Sequence, residues 1–386
     1  MVAPAHATLK NDYGSEISWS YELIKGLYAM NLNICAIFNY KYINNSNDIF
    51  RCGKIITLSN KKIIHPDLSN IFIFNIRYFF VAMKLIKREK FDLVHHMLPF
   101  AYGKTFNLIP FFGYTKEIPF IIGPLQQPLN FDDTAFRGLT YYFLRLVNPI
   151  LFFLSKKTLE KADALICVNE DAKTLFSKIV NKDKPIFIIP PGIDINRFGY
   201  TARKEKNNIE IISVAYLQKR KGIDFIIKAF SEIIGKRPNI MLRVVGMGPE
   251  KENLMGLVNQ LNLNRHVIFE GFVPNTEIAK YYQNADIFIS MSCSESFGQT
   301  SIEAMATGLP VITTKVGEIK NIIVHGETGF LIEHNKDELK NYLVKLIDDR
   351  RLRNIMGQNA RKIVEEKYDW KIIAKKYYEL YLNLAS

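Results

Sequence analysis

The chain has 386 residues, of which 48% are hydrophobic, with 51 Lys and Arg against 38 Asp and Glu for a formal charge of +13. Such a length and apolar content can bury large cores and suggest two domains rather than one. No apolar stretch reaches the roughly 18 residues that span a bilayer; Leu139–Leu154 comes nearest and is broken by Arg145, Asn148 and Pro149. The first residues carry no basic segment followed by an apolar run, so no signal peptide is expected. Cys35, Cys52, Cys167 and Cys293 show no Cys-x-x-Cys spacing, which suits reduced thiols and a cytoplasmic setting. The basic excess leans to the first half, with 24 Lys and Arg against 16 Asp and Glu in residues 1–200. No nucleic-acid motif accompanies it, so phosphates, an anionic membrane surface or plain solvation remain as its meanings.

In chain order, Met1–Ala3 read as the end of a first strand, so either upstream residues are missing or the sheet lacks part of its central strand. Tyr13-Gly14-Ser15-Glu16 then precedes a helical stretch, Ile17–Met30. Apolar runs suited to strands buried on both faces follow at Ile34–Phe38, Phe91–His95, Phe120–Ile122, Ala164–Val168 and Ile186–Ile189. The pattern repeats at Ile209–Val214, Met241–Val245, Val267–Phe269, Ile287–Ser290 and Val311–Thr313. Alternation with amphipathic helices predicts two doubly wound parallel sheets, joined within Asn196–Asn208 by a polar, basic run. His95 and His96 close one apolar strand, where ligands gather in open α/β sheets. As neighbours on a strand they point to opposite faces, and either could equally satisfy local hydrogen bonds. Neither a His-x3-His nor an Asp-x-Asp is placed for a metal.

The stretch SMSCSESFGQTSIEAMATGLPVI, residues 290–312, reads as a strand end, a glycine loop, a short helix and a second buried strand. Glu295 and Glu303 flank the loop with seven residues between them. A helix start offers unpartnered amides and a favourable dipole to an anion. Gly298 lets a phosphate approach the backbone, and Thr300 or Ser301 can help cap the helix. This element resembles the Glu-x7-Glu element of retaining glycosyltransferases of family 4, or group 1.

The resemblance extends from Gly14 to Tyr381 and implies the GT-B fold: two Rossmann-like domains facing a cleft. It divides the chain into an acceptor-binding domain at 1–198, a nucleotide-sugar domain at 199–367, and a helix at 368–386 crossing back to the N-terminal domain. It implies transfer of a hexosyl unit from a UDP- or GDP-sugar to a hydroxyl, with retention, no cofactor and no metal. By the same resemblance Lys221 neutralises the leaving diphosphate, Glu295 positions the donor sugar and His95 contacts it near the reacting centre. Gly14, Tyr216, Gly271, Phe272, Val273, Gly298, Gln299 and Thr300 would border the donor, Glu303 would hold its ribose, and His96 would lie toward the acceptor. Ala215 and Tyr216 stand where the family has glycine and arginine, removing one of two expected charges. Charge-assisted contacts are about twice as strong as neutral ones, so weaker donor binding is expected unless Lys219, Arg220 or Tyr216 compensates. The implied partners are a nucleotide-sugar and a glycan or lipid-linked acceptor in cell-envelope polysaccharide synthesis, with peripheral contact to an anionic inner membrane face and no nucleic acid. The alternatives are a non-catalytic partner subunit and a GT-B sugar-nucleotide epimerase.

Overall fold

A computed structural model describes residues 2–5, 15–40, 54–59, 68–97, 106–112, 117–127, 139–200 and 208–386. Its contacts divide the chain into two compact units, unit 1 of Met1–Gly192 with Trp370–Ser386, and unit 2 of Ile193–Asp369.

Unit 1 carries two parallel sheets. One has the order β1-β2-β3, from Val2–Ala5, Cys35–Tyr40 and Lys54–Ser59. The other has the order β4-β5-β6-β7, from Val94–His96, Phe120–Leu125, Ala164–Cys167 and Ile186–Ile188. β1 also lies beside β4. Val2 to Ala5 pair with Cys35 to Phe38, so the opening strand takes part in the sheet over four residues. The helices are α1 (Ser15–Tyr28), α2 (Leu68–Arg88), α3 (Leu139–Lys161) and α4 (Glu170–Ser177). Asn169 caps α4 by accepting from the Ala172 amide at 2.8 Å, a contact that contributes about 1 kcal/mol.

Unit 2 is built on six parallel strands in the order β10-β9-β8-β11-β12-β13. In chain order they are β8 (Ile209–Val214), β9 (Ile240–Val245), β10 (Val267–Gly271), β11 (Ile287–Ser290), β12 (Val311–Thr314) and β13 (Gly329–Ile332). The helices are α5 (Ile223–Ile234), α6 (Lys251–Gln260), α7 (Ile278–Asn284), α8 (Gln299–Ala306), α9 (Ile319–Ile322), α10 (Lys336–Asp348) and α11 (Arg350–Lys367). Successive strand residues enter opposite cores: Ile211, Ile287, Ile289 and Ile312 go to one, and Ile212, Phe288 and Val311 to the other. A strand covered on both faces needs apolar side chains at every position, which is why these strands read as unbroken apolar runs. Each such buried side chain is worth roughly 1.5–3 kcal/mol.

The last helix, α12 (Trp370–Ala385), packs on α1 and joins the core of unit 1 through Trp370, Ile373, Tyr377 and Tyr381. Trp370 lies over Gly192, where any Cβ would meet the indole. Phe198, the last residue of the N-terminal domain expected at 1–198, is fully buried in a unit 2 core.

Candidate functional site

In unit 2 the strand order reverses between β8 and β11. Beyond the carboxyl ends of two such strands, the connections leave in opposite directions and open a crevice, the usual ligand position in doubly wound sheets. The segment after β8 runs through Ala215 and Tyr216 to Leu217, whose amide donates to Met247 O at 2.9 Å. A 3-10 turn at Lys219–Lys221 follows and ends at Gly222 with φ 63°. A Cβ on Gly222 would stand on the carbonyl oxygen of Met291. This glycine therefore lets the basic turn lie directly against the segment leaving β11.

Three contacts fasten the two segments. The Cys293 amide donates to Arg220 O at 2.8 Å, Arg220 Nη1 donates to Ser294 O at 2.9 Å, and Lys221 Nζ pairs with Glu295 Oε1. The same Glu295 oxygen accepts from Ser292 Oγ at 2.9 Å. Lys221 and Glu295 are thus brought together, with the carboxylate fixed from two sides.

α8 begins immediately beyond. Its cap residue is Gly298, at φ 84° and with no side-chain cap, so the capping role expected of Thr300 or Ser301 is not taken up. The first amides of α8 are left without a side-chain acceptor, which makes this end attractive to an anion. A Cβ on Gly298 would lie 3.1 Å from Ile319 Cβ. Gln299, the first helical residue, keeps a buried Oε1 with no hydrogen-bond partner.

Glu303 lies one turn further along and faces inward. Its Oε2 accepts from Tyr282 Oη at 2.9 Å. Burial pushes its carboxyl up to about 7, against the opposing pull of the Arg197 charge and the Tyr282 hydrogen bond. Arg197 sits with its guanidinium 4.5 Å from the Phe198 ring centroid and donates to Asn275 Oδ1 at 3.3 Å. A ribose hydroxyl expected to donate to Glu303 thus meets a carboxylate whose Oε2 already accepts from inside the fold. Sequence reading missed Tyr282, Arg197 and Asn275 as its companions. Each reads locally as a helix or turn residue, and no spacing signal joins them.

At the neighbouring strand ends, Tyr216, Met247 and Phe272 are exposed. Gly271, at φ 71°, faces open space and accepts at its carbonyl from the Gly246 amide at 2.8 Å; Val273 follows, half-buried. Gly246 and Gly248 are required by close packing, because a Cβ on either would stand on the carbonyl oxygens of Ala215 and Leu217.

His95 and His96 belong to unit 1. His95, expected beside a sugar, is fully buried, with Nε2 donating to Gly123 O at 2.9 Å. That bond leaves Nδ1 to accept from Tyr381 Oη at 2.6 Å, so neither ring nitrogen is open to a ligand in this arrangement. Burial drives its pKa down to about 3, against the opposing effect of the Gly123 bond. His96 is also buried, its Nδ1 accepting from Asn107 Nδ2 at 2.8 Å. Gly14 lies outside the described residues. Among the described residues, no group of three or more His, Cys, Asp or Glu is placed to hold a metal ion, and no helix is long and apolar enough to cross a membrane.

Comparison with known proteins follows the same division. Residues 197–363 match the family described as Glycosyl transferases group 1, and residues 56–197 match Glycosyltransferase Family 4. An uncharacterized glycosyltransferase of Haemophilus influenzae is 30% identical over 250 residues, covering 64% of this chain and 68% of that protein. The alpha-monoglucosyldiacylglycerol synthase of Acholeplasma laidlawii is 27% identical over 78% of both chains. Two uncharacterized glycosyltransferases of Methanocaldococcus jannaschii are matched over only 57% and 64% of their length. Among solved structures, a sucrose-phosphate synthase from Thermosynechococcus elongatus superimposes with TM-score 0.76 at 21% identity over 99% of this chain and 98% of that one. Anabaena HepE in complex with UDP superimposes with TM-score 0.73 at 18% identity over 99% of both. The fold is GT-B.

Proposed function

Because this chain belongs to the group 1 glycosyltransferases, we propose that it moves a hexosyl unit from a nucleoside diphosphate sugar to a hydroxyl of a glycan or lipid-linked acceptor, with retention, in cell-envelope polysaccharide or glycolipid synthesis. One observation carries this reading. At the strand-order reversal, Lys221 rests on Glu295 beside the uncapped start of α8.

A diphosphate leaving group gains negative charge as its bond to the sugar breaks. Lys221 and the first amides of α8 offset that charge in fixed positions, the kind of preorganised stabilisation that lowers a barrier most. Glu295 holds the ammonium in place before the donor arrives and faces the sugar ring afterwards. The acceptor oxygen attacks on the face the diphosphate leaves, and its proton passes to the departing phosphate oxygen. The Gly271-Phe272-Val273 turn borders the base, with Tyr216 nearby, and Gln299 and Thr300 line the phosphate end. Glu303 stiffens α8 from behind through Tyr282. His95 is a positioning residue, tying α12 to the turn at Gly123. Lys221 and the amide row supply the positive charge, so transfer proceeds without a divalent cation. HepE holds UDP in the structure noted above, which favours a uridine diphosphate donor, and the named Acholeplasma relative favours a lipid-linked acceptor.

The test is a thermal-stability screen of the full chain with UDP, GDP and their glucose, N-acetylglucosamine and mannose conjugates, in the presence of a chelator. A ligand binding only the folded state raises apparent stability by mass action. Stabilisation by one nucleotide series that is lost in Lys221→Ala supports the reading. The anomeric configuration of the product, read by NMR, then tests retention. No stabilisation of the wild-type chain by any nucleotide would overturn it.

A further inference from the structure

Donor binding at the crevice depends on where the first turn of α8 stands, and α8 has only eight residues. A helix that short does not hold itself in water. At 1.5 Å per residue it is about 12 Å long, so a tilt of about 5° at one end moves the other by about 1 Å. Whatever fixes the carboxyl end of α8 therefore decides the position of its amino end.

The last carbonyls of a helix need donors from beyond it. The Thr307 amide reaches Glu303 O and Ala304 O at 3.2 and 3.1 Å, and the Gly308 amide reaches Met305 O at 3.0 Å. Ala304 O also accepts from the Leu309 amide at 3.0 Å and from Thr307 Oγ1 at 2.9 Å. The Ala306 carbonyl cannot be closed by the next turn, because Pro310, four residues on, has no amide to give. Arg361 of α11 closes it instead. Its Nη1 donates to Ala306 O, to Phe198 O at 2.8 Å and to Ile195 O at 3.3 Å, and Nη2 shares Ile195 O at 3.3 Å. Nε donates to Glu365 Oε1 at 2.6 Å, one turn along α11.

The Arg361 side chain is 13% exposed, so water would replace it poorly at these carbonyls. A cation also suits the negative end of a helix dipole. Gly357, one turn earlier, brings α11 this close: a Cβ there would stand on the Gly308 carbonyl oxygen. The same guanidinium reaches the turn that faces the middle of α8. Asp194 shapes that turn, its Oδ1 accepting from the Asn196 and Arg197 amides at 3.0 and 3.1 Å. The Phe198 ring meets the Tyr282 ring edge-on at 6.0 Å, and Tyr282 donates to Glu303 on α8. α8 is thus held at its middle through Tyr282 and at its carboxyl end through Arg361, while no side chain caps its amino end.

We infer that Arg361 is a positioning residue for donor binding: its bonds to Ala306, Phe198 and Ile195 set the tilt of α8 and thereby the place of its first amides beside Glu295. It acts through α8 rather than on the donor. A misplacement of about 1 Å at a reacting centre can cost about a hundredfold in rate, so a tilt of a few degrees is enough to matter. The inference rests on the donor-site reading of α8, and the experiment separates the two.

The experiment compares Arg361→Ala in the full chain with Met356→Ala, a cavity variant on the same helix whose side chain enters the other core of unit 2. Both should melt below wild type. UDP is the probe, titrated by calorimetry. Arg361→Ala should bind it about tenfold more weakly, the size of one misaligned charge-assisted contact, and Met356→Ala should bind it as wild type does. Guanidinium ion at a low, non-denaturing concentration should restore UDP affinity to Arg361→Ala, and the same concentration of sodium chloride should not. Hydrogen exchange of residues 298–306 should be faster in Arg361→Ala than its loss of global stability accounts for, and not in Met356→Ala. Wild-type UDP affinity in Arg361→Ala would overturn the inference, as would an equal loss in Met356→Ala. If the wild-type chain itself binds no UDP, the donor-site reading fails, and exchange of 298–306 decides the positioning role: equal exchange in the two variants overturns it. Should Arg361→Ala not fold, Arg361→Lys takes its place, since it keeps the charge without the planar fork and should lose about threefold in UDP affinity.

Discussion

The Tyr282 hydroxyl donates to the Glu303 carboxylate at 2.9 Å inside the core of unit 2. Both side chains are buried, and α7 and α8 are thereby tied by a polar contact with the Arg197 charge close by. Burial also pushes the Tyr282 hydroxyl well above its ordinary pKa, with the Glu303 charge adding to it, so the phenol stays a donor at any working pH. A hydrogen bond to a buried charge is worth about 1.5–3 kcal/mol. Tyr282→Phe should therefore cost about that much stability at pH 8, measured by urea unfolding, and loosen the start of α8.

Glu303 should also give the protein a pH dependence of unusual sign. Its folded value, about 7, lies above the ordinary 4.5, so the folded state holds the proton through the window between them. Stability from this group is greatest below about pH 4.5, declines as the pH rises towards 7, and is flat beyond. At 1.36 kcal/mol per unit the difference is on the order of 3 kcal/mol. Relative to wild type, Glu303→Gln should therefore gain about that much between pH 4.5 and 8. A wild-type-to-variant difference that does not change with pH would refute this.

His95 in unit 1 should act in the opposite direction. Its folded value, about 3, lies below the ordinary 6.5, so the unfolded chain takes up the proton first on acidification. The contribution is complete above about pH 6.5 and is lost as the pH falls towards 3, a swing on the order of 5 kcal/mol. Tyr381→Phe removes the donor to Nδ1 and should weaken the seating of α12 without reversing this slope. Hydrogen exchange of α12 amides against pH, in wild type and Tyr381→Phe, reads the effect within unit 1 alone.

Much of the fold was legible because of how its strands are buried. β8 and β11 were delimited at Ile209–Val214 and Ile287–Ser290 by unbroken apolar runs, the signature of two covered faces. β13 escaped because it has four residues and opens on a glycine, and β3 because Lys54 and the Thr57–Ser59 end interrupt its apolar content and it lies at a sheet edge. At the site, Lys221 and Glu295 were each marked by local motifs. Their pairing depends on Gly222 packing against Met291, a tertiary contact that no local spacing encodes. The direction of the Glu303 side chain and the engagement of His95 by Tyr381 depend on partners far along the chain, which local patterns do not register.

The Lys221–Glu295 pair should behave as a coupled unit in catalysis. Removing a fixed donor to developing negative charge typically costs about a hundredfold to a thousandfold in kcat, and Lys221→Ala is expected in that range, with a smaller rise in KM. Glu295→Gln frees the ammonium and should also lower kcat. Because the two share one contact, the double variant should lose less than the product of the single losses. Multiplicative losses in steady-state donor turnover would show that the two residues act independently.

Gly222→Ala tests the geometry that brings the pair together. The residue sits at φ 63°, a conformation that costs an L side chain roughly 1–2 kcal/mol, and its new Cβ would stand on the Met291 carbonyl. Both segments are backbone, so neither can yield by a side-chain rotation. The 219–221 turn must then move away from the segment after β11 and carry Lys221 off Glu295. The expected outcome is a folded protein, destabilised by about 2 kcal/mol or more, with donor turnover reduced as far as in Lys221→Ala. Activity close to wild type would mean that the Lys221–Glu295 contact is not needed for transfer. Normal donor binding with lost turnover would instead place the contribution of the pair in the transition state, where the developing diphosphate charge requires it.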